Sequence, residues 1–427
     1  MNSNSHACTK PTIRVGQPPW LLFLFLTVLL FFVYHDLSFS RNGADNYNPS
    51  EDNLAVAVAE GSTTRRIALL SLGLFAIVTL VRHRADGRLR IQGSLGWFVL
   101  AFVSWAFVSL IWAEDRRLSF TRLTVFLIFC IAALAVACRF SLREIILWTF
   151  FTSVIFLIVG VTGELFFGRF RPFAPGYRFA GTLHPNHQGI NCALLLLSGF
   201  AAAVTEKRRR ILFRVCTLLG LVFLILTASR TAFAAALLAL TVYLGAVIPK
   251  RMKLAMAYAL SIILCILLLF LANGFLPNLK ATIMLGRDDS TVGSFGGRTE
   301  VWNEIGYYIQ QSPILGYGYG GFWTPSHISE LSKEENWGIP NSHSAYLDYL
   351  LTLGAVGLVM YALLLFAGIR RAFQLQKLSR DSAYAFCGVL LVFCTMNGLL
   401  ESAPTEPSSL MLLSMAVLAR MAFVTHL

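Results

Sequence analysis

The sequence predicts an all-α polytopic membrane protein with about twelve transmembrane helices and one large extracytoplasmic loop. Of its 427 residues, 56% are hydrophobic and only 13% are charged, which is about half the charged share of a typical soluble domain. Apolar runs long enough to cross a bilayer recur from Trp20 to Phe423. These runs do not alternate polar with apolar residues, so they predict helices rather than the strands of a barrel.

The first apolar run follows Lys10 and Arg14 and therefore resembles the charged start and apolar core of a signal peptide. No clear A-x-A cleavage site follows it, so we expect it to remain as the first helix. The runs predicted to span the membrane are 17–38, 67–81, 93–112, 120–138, 144–167, 189–204, 211–228, 231–248, 254–273, 346–368, 383–400 and 407–424.

Basic residues in the short connections predict how the chain threads the membrane. They fall in every second connection, as alternate crossing requires, so we expect these connections and both termini in the cytoplasm. The net charge of +13 is then a topology signal, and no nucleic-acid partner is expected. The basic residues concerned are Arg82, Arg84, Arg88, Arg90, Arg139, Arg143, Lys207, Arg208, Arg209, Arg210, Arg214, Lys250, Arg251, Lys253, Arg370, Arg371, Lys377 and Arg380.

The remaining connections are expected to face outward, and only residues 274–345 form one large enough to hold structure of its own. This loop separates nine N-terminal helices with anion-binding outer loops (1–273) from three C-terminal helices (346–427). Within it, the stretch 298–311 places apolar and aromatic residues on one helical stripe. Such a helix either lies in the membrane interface or forms a soluble lid, and the sequence leaves both open.

The cysteine and histidine pattern predicts neither a disulfide framework nor a metal site. None of the eight cysteines has C-x-x-C spacing, and all but Cys8 lie in apolar runs, so we interpret them as small buried hydrophobes. His184 and His187 are spaced i, i+3, but no carboxylate or cysteine near them completes a ligand set. These histidines are expected to shape the 168–188 loop, and no metal or cofactor is predicted.

Two outward arginines are candidates for binding an anion. Arg230 lies in the apolar stretch LTASRTAF, where a guanidinium is costly unless it is paired or snorkels to the interface. Arg298 follows two glycines and opens the amphipathic stretch, so an anion could be held at this helix start. A planar guanidinium binds phosphate oxygens bidentately and stays charged. The alternatives are a snorkelling arginine at 230 and a plain surface arginine at 298.

His343 is the candidate base, at the point where the long loop enters the tenth helix. Asn341 or Ser342 is a natural N-cap, which would place His343 in the first helical turn. The positive helix end would lower the pKa of the imidazole and leave it neutral, able to accept a proton. The alternative is an interfacial histidine that only forms hydrogen bonds.

Several short motifs resemble those of the O-antigen ligase family. His343, Ser344, Gly354 and Gly357 form the pattern H-S-x9-G-x-x-G, and the two glycines suit close helix packing. Ser344 departs from the commonest pattern, in which asparagine follows the histidine, so serine would have to orient the imidazole through water. The other matching segments are 178–186 (RFAGTLHPN), 227–230 (TASR), 298–302 (R-x-x-x-W) and 313–318 (P-x-L-G-Y-G). The superfamily includes O-antigen ligases, O-antigen polymerases and exopolysaccharide polymerases.

The resemblance implies a GT-C-type architecture in the bacterial inner membrane, with an extracytoplasmic active site. It also implies inverting glycosyl transfer from a polyprenyl-diphosphate donor to a sugar hydroxyl acceptor. Arg230 and Arg298 would grip the diphosphate and stabilise its developing charge. His343 would take the proton of the acceptor hydroxyl. Residues of the matching motifs that the resemblance places in donor and glycan binding are Arg178, His184, Asn186, Trp302 and Tyr317.

The acceptor is left open by these motifs. A polymerase would use another lipid-linked repeat unit, and a ligase would use a lipopolysaccharide core or a protein; the 401–409 segment slightly favours an exopolysaccharide polymerase. A flippase or a chain-length regulator is a further partner to test. A lipid-linked glycan transporter is the hypothesis of another class. It is disfavoured because charges are nearly absent from helix interiors and no internal repeat is found.

Overall fold

The fold is known from a computed structural model, which describes residues 19–34, 62–83, 89–174, 176–247, 298–335 and 338–424. Short 3₁₀ turns at Ser109–Ile111 and Lys207–Arg209 adjoin the longer helices. In chain order the α-helices of these ranges are α1 (Trp20–Tyr34), α2 (Thr63–His83), α3 (Gly93–Val108), α4 (Arg116–Arg139), α5 (Leu142–Phe166), α6 (Pro185–Thr205), α7 (Arg210–Leu226), α8 (Arg230–Val247), α9 (Arg298–Gln311), α10 (Pro325–Glu335), α11 (Ala345–Ser379), α12 (Ser382–Asn397) and α13 (Ser409–Phe423).

The all-helical membrane class is confirmed, since seven of these helices are long and apolar enough to cross a bilayer. They are α2, α3, α4, α5, α6, α8 and α11, and the shorter α1, α12 and α13 are also apolar. Helix α7 coincides with the predicted run 211–228. The run 254–273 lies outside the described residues, so the number of twelve crossings stays a prediction.

The outward faces of these helices are apolar, which a water-exposed bundle would not tolerate. A contiguous apolar surface of this extent on a helical bundle needs lipid around it. Large exposed side chains of this kind include Leu21, Leu74, Trp97, Phe166, Ile211, Leu218 and Phe366. The lipid-facing surface that composition predicts is therefore present.

Helix α6 lies at the centre of the bundle. Of the seven candidate spans it is the most enclosed, with 83% of its apolar stretch buried, and it packs against α5, α7, α8 and α12. Proline at its first position and His184 at its N-cap fix where the helix begins. Because α6 is held on all sides, the residues at its N-terminus are fixed by the whole bundle.

Helix α11 is broken at Gly354, where the backbone has φ 68° and ψ −173°. An added Cβ there would lie 2.0 Å from the carbonyl oxygen of Ile314, so only glycine fits. The groups freed by the break are used: Ala355 N donates to Pro313 O at 2.9 Å, and Trp105 Nε1 donates to Leu353 O at 3.2 Å. Gly354 was predicted to serve helix packing. Its role is to let the 313–316 loop enter the break.

The helix that contains this break runs further than predicted. The sequence placed the end of the tenth run at 368, but α11 continues to Ser379 and includes Arg370, Arg371 and Lys377. At about 1.5 Å per residue this helix exceeds the thickness of a hydrocarbon core, so its basic end extends past the apolar layer. These residues therefore belong to a helix rather than to a connection.

Residues 298–335 and 338–340 form a small subdomain on one end of the bundle. Its core is made by Val301, Ile305, Phe322, Trp323, Ile328, Leu331 and Ile339, with Leu351 of α11 beneath them. The apolar stripe of α9 thus packs against the rest of this subdomain, while the position of α9 relative to the membrane interface stays a prediction. Arg122 of α4 anchors this subdomain by donating to Gly320 O at 2.6 Å and Trp323 O at 2.9 Å.

Candidate active site

A buried carboxylate connects two of the arginines that the motifs single out. Glu401, in the loop between α12 and α13, accepts from Arg298 Nη2 at 2.7 Å and from Asn186 Nδ2 at 2.8 Å. Asn186 Oδ1 in turn accepts from Arg178 Nη2 at 2.9 Å. Arg178, Asn186 and Arg298 are therefore brought into one hydrogen-bonded chain at the N-terminal end of α6.

His343 immediately precedes α11 and has a left-handed backbone, with φ 53°. Its N–H donates to Asn341 Oδ1 at 2.9 Å, and the Asn341 amide donates to Glu406. The N-cap of α11 is Ser344, not Asn341 or Ser342, so the prediction of His343 in the first turn is wrong. The physical reason is that the Asn341 side chain accepts from the His343 N–H and closes a turn of its own, so the N-cap falls two residues after Ser342 and three after Asn341.

The neighbours of this histidine have specific roles in holding it. Ser344 accepts from Leu347 N at 3.5 Å as the helix cap of α11. Ser342 N donates to Asp348 Oδ1 at 3.1 Å, and Ser342 O accepts from Trp302 Nε1 at 2.9 Å. Trp302 thus fixes the histidine segment against α9.

The electrostatics of the site keep the His343 imidazole neutral. Burial, together with the positive charge of Arg298 and the His187 side chain, lowers the pKa of this imidazole to about 3. The largest cause of the neutral form that the sequence predicted is therefore burial. Burial also raises the pKa of the Glu401 carboxyl above its usual range, and Arg298 opposes that rise.

The two histidines of the α6 start lie beside this cluster. His184 caps α6, with its Nδ1 accepting from Asn186 N at 3.2 Å. His187 lies with its ring centroid 6.0 Å from that of His184, and its Nδ1 is hydrogen-bonded to the hydroxyl of Tyr34. Helix α1 therefore contributes to the site as well.

Arg230 is the first residue of α8. It directly follows the turn 227–229, to which Arg178 is hydrogen-bonded. Arg178 Nε donates to Thr227 O at 3.1 Å, and Phe179 N donates to Leu226 O at 2.8 Å. A Cβ added at Gly189 of α6 would lie 2.8 Å from Ser229 Cβ, so this turn is pressed against α6. The fold thus places Arg230 at the same end of the bundle as Arg178.

Tyr317 makes its contacts within the small subdomain and with α11. Its hydroxyl donates to Tyr308 O at 2.9 Å, and its ring packs 5.3 Å from that of Phe322. Its N–H donates to Leu351 O at 3.0 Å. These contacts join the small subdomain to α11, close to the helix break.

Comparison with known proteins agrees with the resemblance that the motifs carry. Residues 215–362 match the O-antigen ligase family. The match supports the superfamily of O-antigen ligases and polymerases, and it implies a glycosyl-transfer enzyme that uses lipid-linked glycans in a membrane. No curated protein matches the chain.

The segment 215–362 that matches this model contains Arg230, Arg298 and His343, whereas Arg178, Asn186 and Glu401 lie outside it. Glu401 was missed by sequence analysis, because a carboxylate in a polar outward loop is expected to be solvated. The available signal was its position in a connection on the same predicted side as the three arginines. The sequence could not predict that Glu401 pairs with Arg298, since this contact depends on how α12 and α13 pack.

Titratable side chains in the described ranges do not gather into a metal-ligand set: no group of three His, Cys, Asp or Glu residues lies together there. Six cysteines fall in the same ranges, and all six are free thiols. They are Cys130, Cys138, Cys192, Cys216, Cys387 and Cys394. The other two, Cys8 and Cys265, lie outside the described residues.

Proposed function

We propose that this protein is an inverting, metal-independent glycosyltransferase that takes a glycan from a polyprenyl-diphosphate donor and joins it to a sugar hydroxyl. The donor diphosphate is already a good leaving group, so the reaction needs charge stabilisation more than further activation. We lean to a polymerase of exopolysaccharide or O-antigen over a ligase. We propose that the active site faces the extracytoplasmic side of a bacterial inner membrane.

In this mechanism His343 is the general base. Its neutral imidazole removes the proton of the acceptor hydroxyl as that oxygen attacks the anomeric carbon. The bond from the anomeric carbon to the diphosphate oxygen breaks on the opposite face, which inverts the configuration. The proton remains on His343 until it is passed to solvent, and polyprenyl diphosphate leaves.

Arg230 and Arg298 hold the diphosphate and stabilise the charge that develops on it, with Arg178 as a third anion contact. At the start of α6, Asn186 orients the Arg178 guanidinium, and His184 holds Asn186 through its backbone N–H. Trp302 fixes the base segment, and Tyr317 stays a proposed contact for the glycan. These assignments follow the family motifs and the geometry of the α6 end.

The observation that carries the proposal is that Arg178 and Arg298 share one part-buried hydrogen-bonded chain, and that His343 lies near enough for the charge of Arg298 to lower its pKa. A cluster of cations beside a neutral histidine suits an anionic leaving group and a proton acceptor. A transporter would need the cations but has no need of a base.

The size distribution of polyprenyl-linked glycan in cells with wild-type protein or His343→Ala tests the proposal. Loss of the base should reduce transfer by about a hundredfold or more. Single lipid-linked units should accumulate in the variant if the protein is a polymerase. Full-length lipid-linked chains should accumulate if it is a ligase.

A matched control is His327→Ala, because the Nδ1 atom of His327 is bonded to Phe322 O within the small subdomain. Its product should stay near the wild-type level while the protein is inserted normally. If His343→Ala and wild type gave the same glycan profile, the base assignment would be wrong and the transporter hypothesis would move ahead.

A further inference from the structure

Glu401 is placed to control two of the three arginines that would bind the diphosphate, Arg298 and Arg178. The residue is 5% exposed, and a single carboxylate oxygen, Oε1, accepts from both Arg298 Nη2 and Asn186 Nδ2. A buried ion pair of this kind holds a long side chain in one position. Arg298 is therefore already oriented before any ligand binds.

The effect of Glu401 extends to the second arginine through one amide. Asn186 donates to Glu401 with its nitrogen and accepts from Arg178 with its oxygen, at 2.8 and 2.9 Å. An amide bonded at both ends cannot flip without losing both bonds. The carboxylate thus fixes the guanidinium of Arg178 as well as that of Arg298.

Glu401 also supplies the counter-charge in this cluster of cations. A negative charge bonded directly to Arg298 weakens the attraction of that guanidinium for another anion. This weakening of the attraction is largest for the ligand that carries the most negative charge. Cleavage of a diphosphate ester adds a negative charge to the leaving group, so an uncompensated arginine cluster would retain the product more tightly than the donor.

We propose that Glu401 is a positioning residue that orients Arg298 and Arg178 and at the same time limits their affinity for diphosphate, so that the cleaved lipid diphosphate can leave. This inference rests on the proposed function, because it takes the arginine cluster as the diphosphate site. It adds a specific role for a residue that lies outside the matched segment 215–362.

Glu401→Gln separates the two roles. The amide oxygen of glutamine can occupy the position of Oε1 and keep the hydrogen bonds to Arg298 and Asn186. Only the negative charge is lost. A purely structural role for Glu401 would make this variant neutral or harmful, whereas removal of a counter-charge makes anion binding tighter.

The experiment measures the affinity of the purified full-length protein in lipid nanodiscs for inorganic pyrophosphate by titration calorimetry. Glu401→Gln should bind pyrophosphate roughly five- to twenty-fold more tightly than wild type. Glu206→Gln is the matched control, because Glu206 pairs with Arg143 at the opposite end of α6. Its affinity should equal that of wild type.

Arg298→Ala distinguishes the inference from the function on which it rests. If Arg298→Ala weakens pyrophosphate binding but Glu401→Gln does not strengthen it, the counter-charge role is wrong and the diphosphate site stands. If Arg298→Ala binds pyrophosphate as well as wild type does, the diphosphate site itself is wrong. With the lipid-linked donor, Glu401→Gln should lower KM by a similar factor without raising kcat.

Discussion

At the scale of single residues, the backbone of His343 matters as much as its ring. A left-handed conformation costs a residue with a Cβ about 1–2 kcal/mol, and such strain is kept only where the surroundings impose it. Here the Asn341 side chain accepts the His343 N–H and Glu406 holds Asn341. This turn holds His343 near enough to Arg298 for the charge of that arginine to lower the pKa of the imidazole.

The pH dependence of catalysis should reflect this environment. The pKa of His343 is lowered to about 3 in the folded protein, so the base is lost only as pH falls toward that value, far below the usual histidine range. Because kcat/KM reports the free enzyme, we expect it to be nearly unchanged between about pH 7 and about pH 5.

The measurement is kcat/KM for the lipid-linked donor across this interval, with the thermal unfolding midpoint recorded at each pH as the control for folding. An acid limb with its midpoint near the ordinary histidine pKa of about 6.5 would contradict the assigned environment. It would mean that the imidazole is solvated in the functional enzyme.

At the scale of elements, the break in α11 is the feature that joins the bundle to the small subdomain. Loop residues 313–316 enter the helix at Gly354, and Tyr317 N donates to Leu351 O. Trp105 and Trp112 add indole bonds to Leu353 O and Leu315 O, at 3.2 and 3.0 Å. The loop that follows α9 in the chain therefore packs against the N-terminal part of α11, the helix that begins just after His343.

Gly354→Ala should destabilise the protein and abolish activity. The backbone there lies in a region that only glycine occupies readily, and the new Cβ would meet the Ile314 carbonyl at 2.0 Å. We expect a loss of about 2–3 kcal/mol or more in the free energy of unfolding. Thermal unfolding in detergent measures it.

Gly306→Ala in α9 is the control for this prediction, because a Cβ there meets nothing within 4 Å. Alanine in a helix interior is favoured over glycine by about 0.5–1 kcal/mol, so this variant should be as stable as wild type or slightly more so. If Gly354→Ala unfolded at the same temperature as Gly306→Ala, the break would not be needed for the fold.

At the scale of the whole molecule, the candidate site gathers at one end of the bundle. It combines the start of α6, the turn before α8, the start of α9, the start of α11 and the loop between α12 and α13. The loop between α12 and α13 is hydrogen-bonded to the start of α11. Gly398 O and Glu401 O accept from Ala345 N, at 2.9 and 3.3 Å. The Thr405 hydroxyl donates to Asp348 Oδ2 at 3.3 Å. Hydrogen bonds between segments far apart in sequence thus hold the candidate site together at this end of the bundle.

The predicted orientation of the bundle can be tested with single cysteines at the two ends of α6. In a background without native cysteines, Phe173→Cys should react with a membrane-impermeant maleimide in spheroplasts, since Phe173 is 98% exposed in the loop before α6. Arg208→Cys, in the basic connection after α6, should react only after permeabilisation. The physical reason is that basic connections stay in the cytoplasm.

Reversed labelling would place the candidate site on the cytoplasmic side and contradict the proposed use of a donor at the outer leaflet. Labelling of both positions in intact spheroplasts would show leakage, and an impermeant dye that stains only broken cells serves as the control for this.

The sequence determined the class of the molecule and several chemical groups of its site. Apolar runs must form helices in lipid, because no other local structure satisfies their backbone groups there. For that reason eleven of the predicted runs coincide with helices, although their ends differ, as in α11. Arg178, Arg298 and His343 stand out because motifs record residue types in order, and Arg298 and His343 lie within the segment 215–362 that matches the O-antigen ligase model.

Only the tertiary structure decided which of these groups meet and what else joins them. Glu401, Asn186 and Tyr34 join the cluster through packing between distant helices, which leaves no local pattern in the chain. The break at Gly354 and the left-handed turn at His343 arise because other segments supply their hydrogen-bond partners. Local sequence fixes the preferences of a segment, but burial and pairing across the bundle fix its final geometry.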